Sequence, residues 1–150
     1  MSRVDDAVGF FRSGHACSQA ILLAWAPEYE LDPGQAARLA AGFAAGMRLG
    51  EVCGAATGAI MVLGLATCGD ECASREGRAA VALAASQFAK KFRERVGALD
   101  CPDIVGCDLR TLEGQAEAQE ESLFATRCAP AVRAAAEILE DMLSASSSSN

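Results

Sequence analysis

Positive charge is what this sequence is shortest of. Lys and Arg number 13 against 20 Asp and Glu, a formal net charge of −7, and the basic residues are scattered. A nucleic-acid surface needs a concentrated cationic patch, so no nucleic-acid role is expected. No basic-then-apolar segment opens the chain, so no signal peptide is expected and the cytoplasm is the expected location. The most apolar run, Ala55 to Thr67, contains Gly58 and Gly64 and is shorter than the ~20 residues a bilayer crossing needs. It reads as a buried core helix rather than a membrane span. No stretch alternates apolar and polar residues as a half-buried strand does. A CxxC pair, a P-loop, a dinucleotide fingerprint and an HExxH helix are all missing, so no motif names a substrate.

What is present is a chain of 150 residues that is 51% apolar, rich in Ala, Leu and Gly, with only 5% aromatics. That length suits one domain, and that apolar share can bury a core. Val4, Val8 and Phe11 form a helical stripe that ends at Ser13-Gly14. Cys17, Ile21 and Trp25 mark a second helix that stops near Pro27. Asp32-Pro33 predicts an N-cap followed by proline at the first helical position, with Leu39, Phe43 and Met47 as that helix's core face. A turn at Gly46–Gly50 leads to a helix from about Glu51 to Ala66, apolar on nearly all sides and therefore central. Cys68-Gly69-Asp70 ends it. A helix from about Ser74 to Arg95 turns Val81, Ala85, Phe88 and Phe92 inward, and Gly97 closes it. A short helix opens at Cys101-Pro102, and Gly106 interrupts it. Glu113 to Glu121 is a surface helix or a mobile loop. The last helix opens at Arg127-Cys128-Ala129-Pro130, with Val132, Ala135, Leu139 and Met142 inward. The expected fold is all-α: a single-domain compact bundle of about five to seven helices over residues 1–143, built round a central glycine/alanine-rich apolar helix. Residues 144–150 read as a disordered, Ser-rich tail.

Seven cysteines is a high count where no export signal is seen, and an odd number cannot be fully paired. Four of them, Cys17, Cys53, Cys101 and Cys128, fall where helices are predicted to begin. A helix start carries unpaired N–H groups and partial positive charge, which favour a thiolate over a thiol. Arg127 adds a cation beside Cys128. Cys53 precedes Gly54, Ala55 and Gly58, a face small enough to admit another backbone or a ligand. The competing explanation is a tight helix crossing with cysteine as a small apolar residue, and from spacing alone the two stand level. Cys68 and Cys72, with CxxxC spacing, form a second redox pair or are incidental, the latter being favoured. Cys107, six residues after Cys101, could serve as an extra resolving thiol. His15, the single histidine, could take a thiol proton or complete a metal site, though a solvated cap position suits it better. Glu51 would raise a thiol pKa if it pointed at Cys53.

These motifs resemble the C_GCAxxG_C_C family of redox-active proteins over nearly the whole length. Gly14-His15-Ala16-Cys17-Ser18-Gln19-Ala20 is similar to the family's first cysteine motif, and Cys53-Gly54-Ala55-Ala56-Thr57-Gly58 to its CGAxxG core. Cys101, with Gly106 and Asp108-Leu109 behind it, resembles the third segment, and Cys128, leading into Ala134–Leu139, the fourth. The resemblance implies redox activity through the four motif cysteines and names no substrate. Some members lie near transporter genes, which is a hint about partners.

Three readings follow. The first is a thiol-based redox protein, a thiol-disulfide oxidoreductase or electron carrier, with an unknown redox partner and no cofactor. Here Cys53 is the expected attacking thiol, Cys17 its resolving partner, and Cys101 with Cys128 a second pair, although four cysteines permit three connectivities. The alternative is a zinc or Fe–S site held by Cys17, Cys53, Cys101 and Cys128. The third is a non-catalytic helical binding or assembly module that uses the glycine face, for instance across a homodimer.

Overall fold

The computed structural model describes residues 2–148, and those residues hold eight α-helices and no extended strand. The helices are α1 (Arg3–Arg12), α2 (Cys17–Trp25), α3 (Pro33–Ala41), α4 (Gly54–Thr67), α5 (Arg75–Val96), α6 (Cys101–Val105), α7 (Leu112–Glu120) and α8 (Ala129–Ser148). The all-α expectation holds, with one helix more than the expected upper count. Local chemistry sets the starts. Ser2 caps α1 through Asp5 N–H, Asp32 caps α3 through Gln35 N–H ahead of Pro33, and Ser74 caps α5 through Gly77 N–H. Thr111 does the same for α7, so the acidic segment is a helix and not a loop. Residues 144–148, read from composition as a disordered tail, continue α8 in the structure, while 149–150 lie outside the described residues.

α4 lies at the centre, packed against α2, α5 and α8. One hydrophobic core gathers Val4 of α1, Ile21 and Trp25 of α2, Val62 and Leu63 of α4, Phe88 and Phe92 of α5, and Val132 and Leu139 of α8. The α2–α4 crossing explains two of the motif glycines. A Cβ on Gly58 would stand 2.8 Å from the Ser18 carbonyl oxygen and 3.0 Å from Ile21 Cβ. One on Gly54 would fall on Cys17 Sγ and reach within 3.2 Å of the Ala44 Cα. The glycine face is thus occupied within the chain and is not offered to a second copy. Crossing and cysteine placement, posed as competing explanations, are one arrangement.

α3 corrects the sequence reading. Leu39 and Phe43, expected in the core, are 61% and 40% exposed, and Met47 has left the helix for a turn. Ala36 and Ala40 face inward instead. The reason is the polar grip of α2 on α3: Ser18 Oγ donates to Ala40 O at 2.7 Å and Gln19 Nε2 donates to Ala37 O at 2.9 Å. Backbones that close admit only small side chains between them.

Candidate functional site

Cys17 is the first helical residue of α2. Gln19 fixes that helix start, because its Oε1 accepts from Ala16 N–H at 2.9 Å while its amide bridges to α3. Cys53 is the N-cap of α4, one step earlier than the first-turn position expected. A single antiparallel bridge between Val52 and Asp100 ties two of the cysteine segments together. Cys53 N–H donates to Leu99 O at 2.8 Å and Cys101 N–H to Glu51 O at 2.7 Å. This pairing lays the start of α6, with Cys101 as its first residue, beside the start of α4.

Cys128 departs from the expected placement. The helical run begins at Leu123, so Cys128 is not at its start. Over Phe124–Cys128 the turn is widened, and Ala129 N–H donates to Phe124 O, five residues back. Pro130 supplies the reason: it has no N–H for the carbonyl four residues earlier, and a wide turn just ahead of it absorbs the mismatch. A proline taken as a first-turn marker stands inside a longer helix.

Between α3 and α4 the chain makes a left-handed turn. Ala45, Gly46, Met47 and Arg48 have φ of 53°, 68°, 60° and 61°. Each non-glycine residue held there costs about 1–2 kcal/mol, so the fold maintains strain beside the cysteines. The turn delivers the Ala45 N–H to Cys17 as a hydrogen-bond donor. No sequence signal marked Ala45. The paired glycines Gly46 and Gly50 marked only the turn.

All four motif cysteines line one cavity of about 810 Å³. Its wall also includes Arg12, His15, Arg48, Gln115 and Gln119. The sulfurs share a cavity but not a single point. Among the described residues, no group of three His, Cys, Asp or Glu side chains is arranged to hold a metal ion. The arrangement therefore does not fit the zinc or Fe–S alternative, which needs four thiolates converging on one centre.

Electrostatics separates the cysteines, lowering the pKa of Cys17 and raising those of the other three. The Cys17 thiol is lowered from 9.0 to about 7, chiefly by a hydrogen bond from Cys53. Burial opposes this, and the N–H groups of Ala45, Ser18 and Cys17 itself assist it. Cys53, 7% exposed, is pushed well above 9.0, first by holding the proton of that bond and then by burial. Cys101 rises to about 11 and Cys128 to about 12, each mainly through burial and then through the charge on Cys17. The neighbourhood is thus not uniformly electropositive: it stabilises one thiolate and suppresses three.

These shifts set a pH dependence. A lowered thiol contributes stability that is complete above its unfolded value of 9.0 and is lost as pH falls through about 7. The raised thiols contribute below 9.0 and lose that contribution as pH rises through about 11 and 12. The urea midpoint of the reduced protein is expected to climb from pH 7 to 9 and then decline. In Cys17→Ser the climb is expected to vanish; a climb of equal slope in that variant would contradict the assignment.

Of the remaining candidates, His15 lines the cavity while Cys68, Cys72 and Cys107 do not. Cys107 packs in a small cluster with Cys101 and Cys128, and its thiol donates to Gly114 O at 3.3 Å. Its pKa is raised by burial and by Glu117, Glu121 and Asp108. Cys68 and Cys72, favoured as incidental, form a disulfide just beyond the C-terminus of α4, the end opposite Cys53. His15 is half-buried against Phe10 and hydrogen-bonds through Nδ1 to Phe10 O at 3.3 Å, closing the end of α1. No helix among the described residues is long and apolar enough to cross a membrane.

No curated protein and no solved structure matches the chain. The family model described as "Putative redox-active protein (C_GCAxxG_C_C)" matches residues 15–142, a span that contains all four cavity cysteines and both crossing glycines. The chain belongs to the C_GCAxxG_C_C family.

Proposed function

We propose that this protein is a dithiol–disulfide redox protein in which Cys17 is the attacking thiolate and Cys53 the proton donor and resolving thiol. The reading rests on one observation: cysteines from four separate segments line one cavity, and two of them share a hydrogen bond. The Cys17 thiolate attacks one sulfur of a substrate disulfide, forming a mixed disulfide and releasing the other half as a thiolate. Cys53 gives its proton to a leaving thiolate and attacks Cys17 Sγ. The second half leaves, and a Cys17–Cys53 disulfide remains. One substrate disulfide is reduced to two thiols by two electrons from the pair. Gly54 belongs to this machinery as the vacancy that seats Cys17 Sγ, with Gly58 keeping the helices close and Ala55, between the two glycines in sequence, fully buried. Cys101 and Cys128 act as a second pair behind the first. Cysteines held free in five of seven cases suit a reducing cytoplasm, with an external dithiol as the redox partner.

Equilibration in buffers of graded dithiol-to-disulfide ratio tests this. Two thiols are expected to disappear in one reversible step, and Cys17→Ser or Cys53→Ser is expected to remove that step. A free-thiol count that stays constant across the series would contradict the proposal.

A further inference from the structure

Apart from the Cys17 thiolate, the charged side chains on the cavity wall are cationic. Arg12 and Arg48 line it, and no Asp or Glu does, in a chain where acids outnumber bases 20 to 13. The chain's ion pairs use Arg3, Arg95, Arg110 and Arg133; among the described residues neither Arg12 nor Arg48 is in one. Arg48 is nevertheless fixed, because its Nη2 donates to Ala41 O at 3.1 Å and its backbone belongs to the strained left-handed turn. Gln115, across the cavity on α7, is held by Nε2 donating to Leu109 O at 2.9 Å. Two guanidiniums without a carboxylate partner, at the wall of a cavity that ends on a thiol pair, form a receptor for negative charge. A volume of about 810 Å³ suits a small molecule rather than a protein segment.

We propose that the cavity is the binding site of a small disulfide bearing carboxylates, with Arg12 and Arg48 holding the carboxylates and directing the S–S bond onto Cys17. This rests on the redox reading and names its substrate class. The chemistry is the exchange written above: the bound disulfide becomes two carboxylate-bearing thiols, and Cys17 and Cys53 become the disulfide.

The test compares three probes on the full chain, the dithiobis-nitrobenzoate dianion, neutral dithiodipyridine and the cystamine dication, with modification of Cys17 read by peptide mass. In Arg12→Gln/Arg48→Gln the dianion-to-neutral rate ratio at Cys17 is expected to fall about tenfold at low salt, and the dication-to-neutral ratio to rise. In the unaltered chain, added salt is expected to lower the dianion ratio in the same direction, which covers the case of a variant that folds poorly. Ratios that ignore both the substitutions and the salt overturn the anion site and leave the redox reading intact. A Cys17 inert to all three probes overturns the redox reading and the anion site with it.

Discussion

Gly54→Ala is expected to cost about 3 kcal/mol or more and to abolish the fast reaction of Cys17. The new Cβ has nowhere to go: Cys17 Sγ occupies its place, and Ala44 Cα and Ser18 N lie 3.2 Å away. Two of the three neighbours are backbone, so relief requires α2 and α4 to separate, and overpacking of that kind typically costs 1–3 kcal/mol and occasionally more. The same substitution at Gly64, farther along α4, meets nothing within 4 Å. There alanine should add about 0.5–1 kcal/mol, its ordinary advantage inside a helix. Gly58→Ala should fall between them, because it presses on the Ser18 carbonyl and Ile21. Urea unfolding of the three variants, with iodoacetamide trapping of Cys17 alongside, reads both effects. If Gly54→Ala matched the parent in stability and Cys17 reactivity, the seating of Cys17 Sγ over α4 would be wrong.

The second large effect is the spread of reactivity among the four cavity thiols. At pH 7 a thiol with a pKa of about 7 is about half ionised, whereas one at about 12 is ionised roughly once in 10⁵ molecules. Low basicity reduces intrinsic nucleophilicity, but by less than the gain in thiolate fraction. Alkylation of Cys17 should therefore rise with pH to an inflection near 7 and lead the other three at neutrality. Cys53→Ala removes the principal hydrogen bond and leaves the N–H groups of Ala45, Ser18 and Cys17. The inflection should move up by about one unit or more, which at pH 7 cuts the Cys17 thiolate fraction from about half to about one in eleven or less and slows its alkylation about twofold or more. An unmoved inflection, or Cys53 labelled ahead of Cys17, would contradict the division of roles.

Helix-start residues made much of this site legible in the sequence. Gly14 before Cys17, the Gly46–Gly50 turn before Cys53, and Pro102 after Cys101 each marked where a helix begins, and those three cysteines do stand at helix starts. Pro130 gave the same cue and misled, because a widened turn lets it sit inside a run that begins at Leu123. The order of reactivity was not legible. It depends first on the Cys53 hydrogen bond and then on N–H groups including that of Ala45, which reaches Cys17 only through a left-handed turn that Ala, Met and Arg do not advertise. The face of α3 was misread for a related reason: Leu39 and Phe43 have the right spacing for a core, but the Ser18 and Gln19 bonds bring the helix too close for them.

The most direct measurement is the disulfide map of the protein after one two-electron oxidation, read by mass spectrometry of unreduced peptides. The account predicts a Cys17–Cys53 cross-linked peptide as the main new product, formed ahead of any link between Cys101 and Cys128. New linkage of Cys17 to Cys101 or Cys128 in its place, or Cys17 and Cys53 both recovered as free thiols, would contradict it.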